Sequence, residues 1–161
     1  MILTFTVYGV ALPKGNHKAV WRPGMQFPKI TESNRNVASW QQLVKEGASQ
    51  ALNNLPDADR RIFMEGVRLT IGFVLPRPQS LAKRITAHLK APDLDRLIRA
   101  IFDGLTGTVY QDDRQVCELV AAKRYATIGE AAHVWVRVEP TAGIGRTIAV
   151  PPAPLPLLAE A

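Results

Sequence analysis

Carboxylates are scarce in this chain. Its 161 residues hold 14 Asp and Glu against 20 Lys and Arg, a formal net charge of +6. A balance of that sign favours a polyanionic partner, nucleic acid above all, and says nothing about fold. Cysteine is nearly absent. The single Cys117 excludes an internal disulfide, in keeping with a reducing compartment. It stands in the mostly apolar run Val116-Cys117-Glu118-Leu119-Val120 and reads as a buried structural thiol rather than a nucleophile. No apolar run approaches the ~20 residues of a membrane helix. The start, Met1-Ile2-Leu3-Thr4-Phe5, has no basic n-region and no cleavage site, so the expected setting is cytoplasmic. There is no Walker loop, no GxSxG elbow and no Cys/His zinc pattern, and no nucleotide cofactor is expected. His17, His88 and His133 lack metal-ligand spacing and read as exposed loop or strand positions.

What is present has the length and the 47% hydrophobic content of one globular domain. Leu3, Phe5 and Val7 alternate with Thr4, Thr6 and Tyr8, a half-buried strand. A loop follows from Pro13 to Lys18, and Pro23-Gly24 within Val20 to Ile30 suggests a short hairpin. Thr31, Ser33 and Asn34 are capping types, so a helix is expected to begin among them and to end near Leu52. Its apolar positions are Val37, Trp40, Val44, Ala48 and Ala51. Val67 to Leu75 alternates as a strand and stops at Pro76-Arg77-Pro78. A polar loop with Arg77, Lys83, Arg84, His88 and Lys90 leads to Pro92. Leu94, Leu97, Ile98, Ile101, Phe102 and Leu105 then form one apolar helical face. Two more strands are expected at Gln115 to Arg124 and His133 to Val138. From Thr141 the composition shifts, and Pro151-Pro152-Ala153-Pro154-Leu155-Pro156 fits neither sheet nor helix. The expected organisation is one domain over 1–140 and a flexible Pro/Ala-rich tail over 141–161. The order of elements gives an α/β (α+β) fold, a mixed sheet with two main helices packed on it.

Against this basic background the few acids cluster: Pro92-Asp93-Leu94-Asp95, then Asp112-Asp113. Asp95, Arg99 and Asp103 share one helical stripe at i, i+4 and i+8. If the strand after Asp113 lies beside the start of the helix, three carboxylates meet. Such a set suits Mg²⁺, a hard cation that takes oxygen ligands, and a divalent cation beside a polyanion points to phosphodiester hydrolysis. A structural reading competes. Asp93 is a natural N-cap, Asp95 suits the helix dipole, Asp95 and Arg99 form an i, i+4 pair, and Asp112-Asp113 make a turn.

The run from Pro92 to Leu105, Pro92-Asp93-Leu94-Asp95-Arg96-Leu97-Ile98-Arg99-Ala100-Ile101-Phe102-Asp103-Gly104-Leu105, resembles the signature helix of the RusA-like Holliday junction resolvases. Val109-Tyr110-Gln111-Asp112-Asp113-Arg114-Gln115-Val116 resembles the family's second block, and Lys123 sits where the family tends to keep a basic residue. Phe5-Thr6-Val7-Tyr8-Gly9, with Pro13-Lys14 after it, is similar as well, so the likeness covers Ile2 to Val138. It implies a Mg²⁺-dependent endonuclease, with Mn²⁺ as a substitute, that cuts four-way DNA junctions as a homodimer in recombination and repair. The family is common in phages and prophages. It implies Asp93, Asp95 and Asp113 as essential acids and metal ligands, with Asp112 expected as a supporting metal ligand, and it places Asp112 and Asp103 at commonly acidic positions. Arg99 joins the catalytic set, although the best-known members carry Lys there and often Asn at the position of Arg96. DNA is expected along Lys14, Asn16, Lys18 and Arg22, along Lys83, Arg84 and Lys90, and at Lys123, through backbone contacts. A less selective branched-DNA or duplex nuclease and a non-cleaving junction-binding protein are the alternatives.

Overall fold

The computed structural model describes residues 1–15, 17–20, 27, 29–32 and 36–141, with only the backbone described at 17–20 and 29–32. The strands are β1 (Leu3–Tyr8), β2 (His17–Val20), β3 (Lys29–Glu32), β4 (Val67–Leu75), β5 (Val116–Tyr125) and β6 (His133–Pro140), and the helices are α1 (Val37–Asn53) and α2 (Leu94–Leu105). The main sheet has the order β1-β6-β4-β5. β6 runs antiparallel to both β1 and β4, and β4 and β5 are parallel. β2 and β3 form a separate antiparallel hairpin, as the turn signal suggests. The Pro23-Gly24 turn itself lies outside the described residues.

One core holds the molecule together. Leu3, Phe5 and Val7 of β1, alternate residues of β4, and Val134, Val136 and Val138 of β6 meet Trp40, Val44 and Ala48 of α1 and Leu97, Ile101 and Leu105 of α2. Both helices therefore cover the same face of the sheet. The opposite face carries ion pairs of Arg68 with Glu118 and Glu139, and of Arg137 with Glu139. At Gly104 the two helices pack tightly. A Cβ there would stand 3.0 Å from the Gln41 carbonyl and from Val44.

Three expectations are corrected. The first helix begins at Val37, because Thr31 belongs to β3, where it opposes Lys18; Ser33 and Asn34 lie outside the described residues. Cys117 is exposed, because β5 is an edge strand and its register with β4 shifts between Val67 and Arg68, leaving Cys117 unpaired with a β4 residue. His88 is buried, 8% exposed, with its ring 4.4 Å from that of Tyr125. A polar loop does not fix burial residue by residue, and this loop folds back so that Ala87 bridges Arg124. Of the tail only Thr141 is described, and its N–H and hydroxyl both donate to the Gly66 carbonyl at 2.9 Å. Among the described residues no helix is long and apolar enough to cross a membrane.

Candidate nuclease site

The chain between β4 and β5 decides where the acidic residues stand. β4 and β5 are parallel, so the loop leaving Leu75 delivers the start of α2 to the C-terminal end of both strands. α2 then runs back, and the chain re-enters the sheet at Val116, opposite Val67. Asp93 and Asp95 thus sit at one end of α2, Asp112 and Asp113 at the other. Twelve residues at about 1.5 Å each put roughly 18 Å between those ends.

The start of α2 is fixed from several sides. Lys123, opposite Phe73 near the end of β5, donates from Nζ to the carbonyls of Lys90 at 2.9 Å and Pro92 at 2.7 Å. The Ala91-Pro92 bond is cis. Arg77 organises the preceding loop, donating to the carbonyls of Ala126, Ala82 and Ile85 at 2.7, 3.2 and 2.8 Å. That loop carries Lys83, Arg84 and Lys90 on the surface.

Asp93 occupies the N-cap in an extended conformation, yet its carboxylate makes no capping hydrogen bond. It is 66% exposed and has one loose ion pair, with Arg96 at 3.5 Å. Asp95 and Arg99 are both exposed, and no ion pair joins them. The structural duties that compete with a catalytic reading are therefore only partly taken up: the cap position is filled without a cap bond, and the i, i+4 pair is absent among the described residues.

At the other end of α2 the two aspartates differ. Asp112 Oδ1 accepts from the Arg114 N–H at 2.9 Å and from Arg114 Nε at 2.8 Å. Together with Gln115 it forms a capping box on the short 3₁₀ turn over Asp113–Gln115. These bonds hold its carboxyl below the usual carboxylate range. Gln115 also donates to the Phe63 and Glu65 carbonyls, anchoring the turn to the entry of β4. Asp113 is exposed at the first position of that turn. Tyr110, buried and donating to the Phe102 carbonyl at 3.3 Å, has its hydroxyl pKa pushed up by burial and then by the charges of Asp113 and Asp103. Asp113 therefore stands near the second half of α2. Asp103 itself accepts from Lys14 Nζ at 2.5 Å and Gln41 Nε2 at 2.9 Å.

The expected site residues fall into groups. Asp93 and Asp95 stand together with Lys123 behind them. Lys14 is tied to α2 by its charge and by its N–H, which donates to the Arg96 carbonyl at 3.0 Å. Lys18 is described in its backbone alone, and Asn16 and Arg22 lie outside the described residues. The single chain does not gather Asp113 with Asp93 and Asp95. Among the described residues no three His, Cys, Asp or Glu side chains could hold a metal ion together. The chemistry of the donors still fits a hard divalent cation, since Mg²⁺ commonly takes one or two protein carboxylates and completes its shell with water and phosphate. Two features escape the sequence reading, the Lys123 clasp and the buried His88. The Asp112-to-Gln115 spacing, by contrast, is a capping-box signal visible in the sequence.

The family profile described as endodeoxyribonuclease RusA matches residues 9–139. The chain belongs to the RusA endodeoxyribonuclease family. No curated protein matches it closely enough to count as a relative. Membership places the chain among the RusA endodeoxyribonucleases, enzymes that resolve Holliday junctions by hydrolysis and are generally dependent on a divalent metal. Both acidic ends of α2 lie inside the matched region.

Proposed function

We propose that the protein resolves four-way DNA junctions by paired phosphodiester hydrolysis, as a cytoplasmic homodimer that uses Mg²⁺ held by Asp93, Asp95 and Asp113. The observation that carries this reading is the start of α2. Two exposed carboxylates are fixed there by a clasped backbone, and neither caps the helix nor forms a tight ion pair. In a basic protein, such a pair repels DNA unless a cation reverses the local sign. A bound divalent ion supplies polarisation of the phosphoryl oxygen and a more acidic attacking water.

The separation of the acids along α2 argues for two copies. If two α2 helices lie side by side and antiparallel about a two-fold axis, the start of each faces the end of the other. Asp113 of the partner subunit then completes the pair Asp93 and Asp95, and two such sites arise together. A two-fold enzyme also suits a substrate that needs two symmetric nicks. β5, beside α2, is one of the two outer strands of the main sheet, and it exposes Leu119 by 44% and Val120 by 59%. An open apolar edge of this kind is one that proteins ordinarily cover. Arg99, one turn on from Asp95, is placed to offer a guanidinium to charge developing on the phosphate. Asp112 supports the turn that presents Asp113 and is the weakest of the expected ligands, since its Oδ1 is engaged by Arg114.

A mobile synthetic four-way junction tests the reading. The protein with Mg²⁺ is expected to give symmetric paired nicks. Asp95→Asn and Asp113→Asn are each expected to lower cleavage roughly a hundredfold or more while leaving junction binding intact. Scattered cuts in plain duplex would instead indicate the less selective nuclease, and binding without cutting the non-cleaving protein. Full activity in either variant removes the metal-site assignment.

A further inference from the structure

A groove of about 460 Å³ lies between the second half of α1 and the segment leading into β4, and it is lined by Lys45, Ser49, Asn53, Arg60, Arg61 and Thr108 among others. Lys45, Ser49 and Asn53 follow one another at i, i+4 and i+8 and form a polar stripe along α1, beside its buried one. Arg60 is held in place by its donation to the carbonyls of Asn53 at 3.0 Å and Leu55 at 3.2 Å. Its charge is only partly balanced, by an Asp57 that is almost fully exposed. Arg61 pairs loosely with Glu65 at 3.6 Å. Lys45 has no ion-pair partner among the described residues. Three cations and three neutral polar side chains thus share one concave surface, and the carboxylates that touch its arginines stand outside the lining.

The groove is at the same end of the molecule as Asp113. Arg61 directly precedes Ile62 and Phe63, and Phe63 donates its N–H to the Val109 carbonyl at 2.8 Å and bridges Tyr110, three residues before Asp113. None of the groove's lining residues comes from the loop of Lys83 to Lys90.

We propose that this groove carries the sugar-phosphate backbone of a DNA arm leading away from the cleavage site, with Lys45 and Arg61 contacting phosphates and Ser49 and Asn53 bonding phosphate oxygens. The proposal rests on the nuclease reading above. Arg60 keeps the shape of the groove, because its guanidinium ties the end of α1 to the turn after it. Contacts of this class set position and affinity, and they are not sequence-specific.

The test is binding of a labelled four-way junction by the full chain in EDTA, so that no cleavage occurs, over a range of salt concentrations. Each phosphate contact adds about 0.9 to the slope of log affinity against log salt. The double variant Lys45→Ala/Arg61→Ala is expected to bind more weakly and to flatten that slope by about 2. Both side chains are exposed, so the fold is expected to survive, which an unchanged circular dichroism spectrum confirms. Ser49→Glu, which adds a negative charge and leaves every cation in place, is expected to weaken binding as well. Wild-type slope and affinity in both variants would overturn the groove and leave the nuclease reading standing. A wild-type protein that fails to bind the junction overturns both.

Discussion

At the scale of the residue, neighbouring aspartates have been given different work. Asp112 and Asp113 are adjacent and both acidic, but Asp112 closes a capping box and pairs with Arg114 while Asp113 stands exposed. Asp112→Ala is therefore expected to lower stability through loss of the cap, seen as a lower melting temperature, and to retain far more cleavage than Asp113→Asn. Equal loss of cleavage in the two variants would place Asp112 in the reaction itself. His88 makes a separate prediction. Burial first, and then the positive charge of Lys123, lower its pKa from the ordinary value of 6.5. The folded protein then binds this proton less readily than the unfolded chain, so its stability is full above pH 6.5 and falls as the pH drops below that value toward the folded pKa. Denaturant melts at pH 7 and pH 5 are expected to show that loss, and His88→Phe to reduce it. The pair of Asp93 and Asp95 was legible in the sequence, since proline, acid, leucine, acid opens an amphipathic helix. The Lys123 clasp was not, because its acceptors are backbone carbonyls more than thirty residues away.

At the scale of the element, α2 and β4 were read to their ends, because each is periodic along its whole length and bounded by proline, glycine or acidic caps. The start of α1 was not, since capping residues precede it in a hairpin strand as well, and local signals do not separate the two uses of Thr31. Which end of α2 would meet Asp113 depended on the direction of β5. Only the parallel pairing of β4 and β5 decides it, and that pairing is a long-range fact. The close contact of the two helices at Gly104 is similarly invisible in sequence. Gly104→Ala gains helix propensity of somewhat under ~1 kcal/mol. It also drives a methyl group to 3.0 Å from the Gln41 carbonyl, a backbone atom that cannot easily yield. The expected net result is a loss of about 1–2 kcal/mol, a few degrees in melting temperature for a protein of this size. A raised melting temperature would mean that the helices separate more readily than their packing indicates.

At the scale of the whole molecule, the position of the acids at opposite ends of α2 is what the proposed assembly of two chains has to answer. On the proposed reading, one chain offers two half-sites roughly a helix length apart, and an enzyme that must nick two strands symmetrically gains by completing each half-site from its partner. Mixing two inactive variants tests this most directly. Asp95→Asn and Asp113→Asn are refolded together, and the mixture is assayed for nicking of a four-way junction with Mg²⁺. In a heterodimer built across subunits, one site loses both residues and the other is wild type. Nicking of single strands is therefore expected to return although each variant alone is inactive, while paired resolution stays low. A mixture as inactive as its components, under conditions where the heterodimer is shown to form, would contradict the shared site.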